Sequence, residues 1–429
     1  MKLSVALYAS AVSTATLPEG LPLSAFGSVI SVSPEEAASG ADIGFRLSER
    51  ATQGLPLSAF GEVHHVTPDE ARHHKDLGGN NFTDLPVFGP GHHKDLKGWI
   101  EWKANHASHS AGHDFGHVND EVEDIIDDFL EPRDAGDCAN PNVRYEWDDY
   151  SASDKTAFVN AIQCLINKPA SGRISPSRNR YEDLVRLHQA YAPNIHSKST
   201  SAQTHKFLLW HRYYLWAFEQ ILRDECGFNR AMPWWDEKKW AGRFAQSTLF
   251  QPAYFGSLPG PTNGRGTCIY DGKFSGLQSS LGPGTTTNNP HCVQRAVNEG
   301  VTAQTGQSSY DICQQRTSYP DFHSCVEFTY HAQGHNGVGA TMSDAIASPG
   351  DPVFFMHHSY VDYTFRKWQL GALSRRTTIS GCASSNGCPA LTLDTMIYIG
   401  NICGAKCPDL PVRQLLRTLQ GHFCYKYNY

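Results

Sequence analysis

Cysteine is missing from the first 137 residues, and Met is scarce, with 5 in a chain of 429. No disulfide can brace that N-terminal third, because all 12 cysteines lie at or beyond Cys138. No stretch reaches the roughly 18 consecutive apolar residues that a membrane-spanning helix needs. An excess of basic residues is also lacking: 36 Lys and Arg stand against 43 Asp and Glu, a net charge of -7. That balance argues against a nucleic-acid partner, since neutralising phosphates takes clustered Lys and Arg. Charged residues make up only 18% and hydrophobic ones 40%, so neither a wholly disordered chain nor a fibrous repeat fits.

Histidine is what the chain has in quantity, with 21 residues. The N-terminus reads as an export signal: Met1-Lys2 is basic, Leu3 to Val12 apolar, and Ser13-Thr14-Ala15 small. We expect a signal peptide over residues 1–15 and a secreted, extracellular protein with no membrane partner. In that compartment an even cysteine count pairs as disulfides. Zinc held by cysteine is the alternative. Cys382 and Cys388, and Cys403 and Cys407, are close pairs, but they lack the paired CxxC spacing of zinc ribbons.

Residues 20–37, GLPLSAFGSVISVSPEEA, return as residues 54–71, GLPLSAFGEVHHVTPDEA. HHKDL occurs at His73 to Leu77 and again at His92 to Leu96. Two copies are too few for a solenoid. Residues 16–98 read as a repetitive pro-segment or flexible arm, which either imposes latency or is simply discarded. Asn81-Phe82-Thr83 is an N-glycosylation sequon, so a glycoprotein is expected. After four histidines between His106 and His117, an acidic amphipathic helix is expected from about 119 to 130. Residues 99–429 read as one domain, with residues 258–290, rich in Gly, Pro and Thr, as a long surface excursion.

Two histidine constellations stand out. In residues 180–228, Tyr181, Leu184, Val185 and His188 share a helical face, and Pro193 should end that helix. A second helix is expected to start at Thr204 as N-cap, with His211 inside the apolar stripe of Phe207, Leu208, Leu215, Phe218 and Leu222. One histidine on an apolar face is ordinarily a hydrogen-bonded core residue. Four within the 24 residues from His188 to His211 point instead to a metal.

In residues 323–369, His331 and His335 are i and i+4, so both rings leave one helix face. Asp351-Pro352 reads as a cap followed by a first-turn proline, opening a helix that puts His358 in line with Phe354, Val361, Phe365 and Trp368. Asp362, one turn beyond His358, could orient an imidazole as an acceptor. Each half thus offers about three histidines and no cysteine or carboxylate ligand, a set that suits copper, zinc, iron or nickel. Hydrolytic zinc chemistry is weakened because Ala332, not Glu, follows His331. Structural zinc in a secreted binding module remains a further reading.

FLLWHRYYLWAFE and SPGDPVFFMHHSYVD resemble the two copper signatures of the type 3 copper proteins, the family of tyrosinases, catechol oxidases and molluscan-type hemocyanins. The resemblance spans about residues 180–240 and 320–370 and is greatest to short secreted fungal polyphenol oxidases. It implies a mainly α fold: a four-helix-bundle core holding a dinuclear copper site, with long loops and a disulfide-stapled tail. It implies His188, His196 and His211 on one copper ion, and His331, His335 and His358 on the other. His358 is the second member of the His357-His358 pair. The spacing from His196 to His211 exceeds the family's, so His205 remains an alternative to His196. Family members often tie the middle ligand to a cysteine two residues earlier, but here Asn194 or Gln203 occupies that place. The resemblance further implies two copper ions that bind O2 between them, and oxidation of a phenolic small molecule to an o-quinone. Monophenolase members commonly carry Asn where this chain has Ala332, which favours an o-diphenol oxidase. A hemocyanin-like dioxygen carrier is the alternative.

Overall fold

The computed structural model describes residues 138, 140–372 and 374–428. The signal segment, the repeats, Asn81, the histidines from His106 to His117 and the helix expected at 119–130 lie outside the described residues. The described part is mainly helical, with a few short strands.

Three long helices come first. α1 (Ala152–Asn167) is capped by Ser151 Oγ, which accepts from Asp154 N–H at 3.1 Å. α2 (Arg180–Ile195) is capped by Asn179 Oδ1, which accepts from Glu182 N–H at 2.8 Å. α2 runs through Pro193 instead of ending there. In a last turn that proline removes one backbone donor while His196 N–H still closes onto Ala192 O at 3.1 Å, so the helix survives. α3 (Phe207–Cys226) starts two residues later than the Thr204 cap implied, and no side chain caps it. Residues 197–204 instead form a tight hairpin.

The second half contains α4 (Gln307–Gln314), α5 (Tyr319–Val326), α6 (Ala332–Val338) and α7 (Val353–Leu370). Between α5 and α6 lies a π-helical turn, Glu327–His331, with Thr329 off helical geometry at φ -109° and ψ -111°. Such bulges recur at functional sites because they re-aim neighbouring side chains. α7 begins just after Asp351-Pro352, and Asp351 Oδ1 accepts from Val353 N–H at 3.1 Å.

α3 and α7 are the spine. Phe218 stacks on Phe355 with centroids 3.7 Å apart, and Phe322 of α5 stacks on Trp368 of α7 at 4.6 Å. Residues 258–290 are not only a surface excursion: Ile269, Phe274 and Leu281 are buried in the core. The two ends of the described part meet where β1 (Asn142–Arg144) pairs in parallel with β2 (Tyr425–Tyr427).

All 12 cysteines form disulfides: Cys138–Cys424, Cys164–Cys226, Cys268–Cys292, Cys313–Cys325, Cys382–Cys388 and Cys403–Cys407. The close pairs 382/388 and 403/407 are therefore staples of the tail, not zinc ligands. Among the described residues no helix is long and apolar enough to cross a membrane.

Candidate metal centre

α2 and α3 bring His188, His196 and His211 together, while the π turn, α6 and α7 bring His331, His335, His357 and His358 together. Within each set the ligand atoms lie within 4.8 Å of one another. His205 stands apart from both sets. Its Nδ1 accepts the backbone N–H of Cys382 at 2.8 Å and its ring packs on His323.

Four rings are oriented by backbone carbonyls. His188 Nδ1 lies 2.8 Å from Ile346 O, His211 Nδ1 2.9 Å from Phe207 O, His331 Nδ1 3.0 Å from Glu327 O, and His335 Nδ1 2.7 Å from Met342 O. A carbonyl oxygen only accepts, so each of these Nδ1 atoms carries hydrogen. Burial, reinforced by neighbouring imidazoles, holds all four rings and His358 well below the ordinary 6.5. The rings are neutral, and the Nε2 lone pairs of the four carbonyl-anchored ones are bare.

These bare nitrogens converge. His188 Nε2 and His211 Nε2 are 3.4 Å apart, and His335 Nε2 and His358 Nε2 are 3.2 Å apart. The bare lone pairs of His188 and His211 repel at that separation, whereas a cation between them makes the arrangement favourable. Nitrogens about 2.0 Å from a tetrahedral ion stand about 3.3 Å from each other, so the donor sets fit a metal bound by imidazole. Phe207 and Phe354 wall the space. Phe207 lies 4.4 Å from the His331 ring and 4.7 Å from His211, and Phe354 lies 4.1 Å from His358.

Three side chains around the rings were not foreseen from the sequence. His357 joins the second set, and its Nδ1 lies 2.6 Å from Glu237 Oε1. Burial drives Glu237 well above the ordinary carboxyl range and His357 down to about 3, so the pair is neutral. Glu237 is 120 residues from His357, and only the adjacency of His357 to His358 was a signal. Glu327 approaches His196 Nδ1 at 3.6 Å, and its place four residues before His331 was the available hint.

Asp362 does not orient an imidazole, and His358 Nδ1 has no hydrogen-bond partner. Two buried arginines outcompete it: Asp362 accepts from Arg212 Nε at 2.6 Å and pairs with Arg144 at 3.5 Å. Tyr425 and Tyr427 hydroxyls each donate to it at 2.6 Å. The expected role fails because these long-range partners claim both oxygens. Ala332, next to His331, brings no polar group to the site.

Two sets of imidazoles on a helical core could each hold a metal ion. Residues 178–370 match the common central domain of tyrosinase. Over 302 residues the chain is 31% identical to tyrosinase ustQ of Aspergillus flavus, covering 68% of this chain and 80% of that one. It is 27% identical over 341 residues to tyrosinase P of Aspergillus terreus, covering 68% and 93%. N-acetyl-6-hydroxytryptophan oxidase ivoB of Emericella nidulans is 25% identical over 351 residues, covering 67% and 92%. A polyphenol oxidase from Thermothelomyces thermophila has the same fold, with a TM-score of 0.64 at 22% identity over 73% of this chain and 96% of that one. The chain belongs to the tyrosinase family of type 3 copper proteins, a family whose members imply a dinuclear copper site.

Proposed function

We propose that the chain is a polyphenol oxidase that converts o-diphenols to o-quinones. In this reading His188, His196 and His211 hold one copper ion, and His331, His335 and His358 hold the other. The observation that carries it is the convergence of imidazole Nε2 atoms in two adjoining sets. The reaction balances when two diphenols each give two electrons and two protons to one O2, leaving two quinones and two waters. A copper pair, when bound, supplies the two-electron exchange with dioxygen that side chains lack.

The chain's own share is orientation and exclusion. Carbonyls of Ile346, Phe207, Glu327 and Met342 fix four rings through Nδ1. Phe207 and Phe354 keep water away from the imidazole faces. Ala332 offers no side-chain hydrogen bond, so it cannot hold a water to take the proton of a monophenol. That favours diphenol oxidation over monophenol hydroxylation. Residues 1–15 as export signal, 16–98 as arm and 99–429 as oxidase domain complete the proposal, and six disulfides agree with an extracellular location.

Initial rates on matched mono- and diphenols, with oxygen uptake followed, test the reading. Diphenol oxidation with slow or lagging monophenol turnover is expected. Efficient lag-free monophenol turnover overturns the diphenol preference, and reversible oxygen uptake without quinone overturns the oxidase itself.

A further inference from the structure

His196 is held differently from the other rings of its set. It is the residue after α2, with extended backbone at φ -91° and ψ 144°, and its side chain is 18% exposed. No carbonyl anchors its Nδ1. A carboxylate does: Glu327 Oε1, 3.6 Å away, which also accepts the Ser197 N–H at 2.8 Å.

Behind Glu327 three buried polar groups stand in a row without partners. Glu327 Oε2 has none, although His323 Nδ1 is 3.8 Å away. His323, fully buried in α5, has none on either nitrogen. Its ring centroid is 4.9 Å from that of His205. His205 Nδ1 accepts from Cys382 N–H, so a neutral His205 carries hydrogen on Nε2, and that atom too is unpartnered. From His205 through His323 to Glu327, the row reads donor, donor-and-acceptor, acceptor. Orphaned buried groups are costly, yet these complement one another. Between Glu327 and His323 a hydrogen bond of roughly 2.9 Å needs a shift of about an ångström, or one bridging water. A metal ion does not suit the spot, because a neutral His205 whose Nδ1 accepts from Cys382 N–H has hydrogen on Nε2.

The long spacing from His196 to His211 explains how His205 arrives there. Ser197 Oγ donates to Thr204 O at 3.2 Å, and Lys198 N–H donates to Ala202 O at 2.9 Å, so residues 197–204 loop out and return. His205 is then latched to the loop closed by Cys382–Cys388. Its own N–H donates to Cys382 O at 2.8 Å, and a Cβ on Gly381 would meet its ring at 2.7 Å.

We propose that His205, His323 and Glu327 form a polar strut that positions the His196 imidazole toward the first cluster, anchoring it to the disulfide-closed loop Cys382–Cys388. It does without covalent bonds what a tether at position 194 cannot do here, since Asn194 occupies that place. The proposal rests on the reading that the first cluster holds copper.

The test uses the full copper-loaded chain and measures copper lost to a chelator over time, with apo-protein Tm and near-UV circular dichroism as fold controls. His323→Leu, which cannot bridge, should release one of two coppers about tenfold faster than the unaltered chain, in line with other outer-sphere losses. His323→Gln, which can donate and accept, should restore retention to within about threefold. His205→Leu carries the same prediction should His323→Leu not fold. Equal copper loss in His323→Leu and the unaltered chain, or equal loss in the Leu and Gln variants, overturns the strut alone. Failure of the unaltered chain to bind copper overturns the functional reading and the strut with it.

Discussion

The imidazoles of His211 and His358 lie face to face, with ring centroids 4.1 Å apart and planes 9° from parallel. One belongs to each cluster, so the stack is where α3 and α7 join the two donor sets. His211→Gln or His358→Gln should therefore leave about one copper per chain. Diphenol oxidation should fall by more than the roughly 10- to 100-fold that loss of an outer-sphere partner costs. Copper content and oxygen uptake measured together check this, and two retained coppers in either variant would contradict it.

Gly334 sits on the α6 turn between His331 and His335. A Cβ there would stand 2.5 Å from His357 Cε1 and 2.8 Å from Glu237 Oε2. Neither neighbour can retreat, because both are buried and paired with each other. Gly334→Ala should thus disturb the second cluster and weaken its metal while sparing the first. Gly260→Ala, where a Cβ meets nothing within 4 Å, is the matched control and should bind copper normally.

Removing the metal should expose a strong acid sensitivity. In the metal-free fold His188, His211, His331, His335 and His358 are held well below 6.5, His323 is lowered to about 4 and His357 to about 3, all chiefly by burial. The unfolded chain takes up these protons near 6.5 and the folded chain does not. Folded protein then binds fewer protons, and stability is lost as pH falls from 6.5 toward 4. Each such histidine costs about 1.4 kcal/mol per pH unit in that window. Metal-free Tm should drop steeply between about pH 7 and about pH 5. A flat metal-free profile would count against neutral buried clusters.

The buried network behind the site supplies a stability prediction. Asp362 neutralises Arg212 and Arg144, all three nearly inaccessible to solvent. Asp362→Ala leaves the buried Arg212 guanidinium without a carboxylate, while Arg144 keeps Glu219 at 2.7 Å, and should cost about 3–5 kcal/mol in denaturant unfolding. The exposed pair of Arg413 and Asp394 gives the contrast, and Asp394→Ala should change stability by less than about 1 kcal/mol. Similar losses in the two variants would contradict the assignment of the network.

The sequence revealed the histidines whose placement is local. His188, His211 and His358 fall on apolar stripes of period 3.6, and His331 and His335 are one turn apart, so short-range geometry sufficed. His196 and His205 could not be separated by spacing, because the hairpin of residues 197–204 hides the extra length. The misreadings had long-range causes. Asp362 was matched to a histidine one turn away, while its real partners come from α3, β1 and β2. Pro193 was read as a stop, but helix geometry tolerates it in a last turn. Glu237 and Glu327 escaped notice because their meeting with His357 and His196 depends on tertiary packing.

The most direct test of the central claim is the metal content of the folded, purified chain, measured by elemental analysis against protein concentration. Two copper ions per chain, falling to about one in His211→Gln, is the result expected from two trios of convergent imidazoles. Zinc at that stoichiometry with no copper would contradict it.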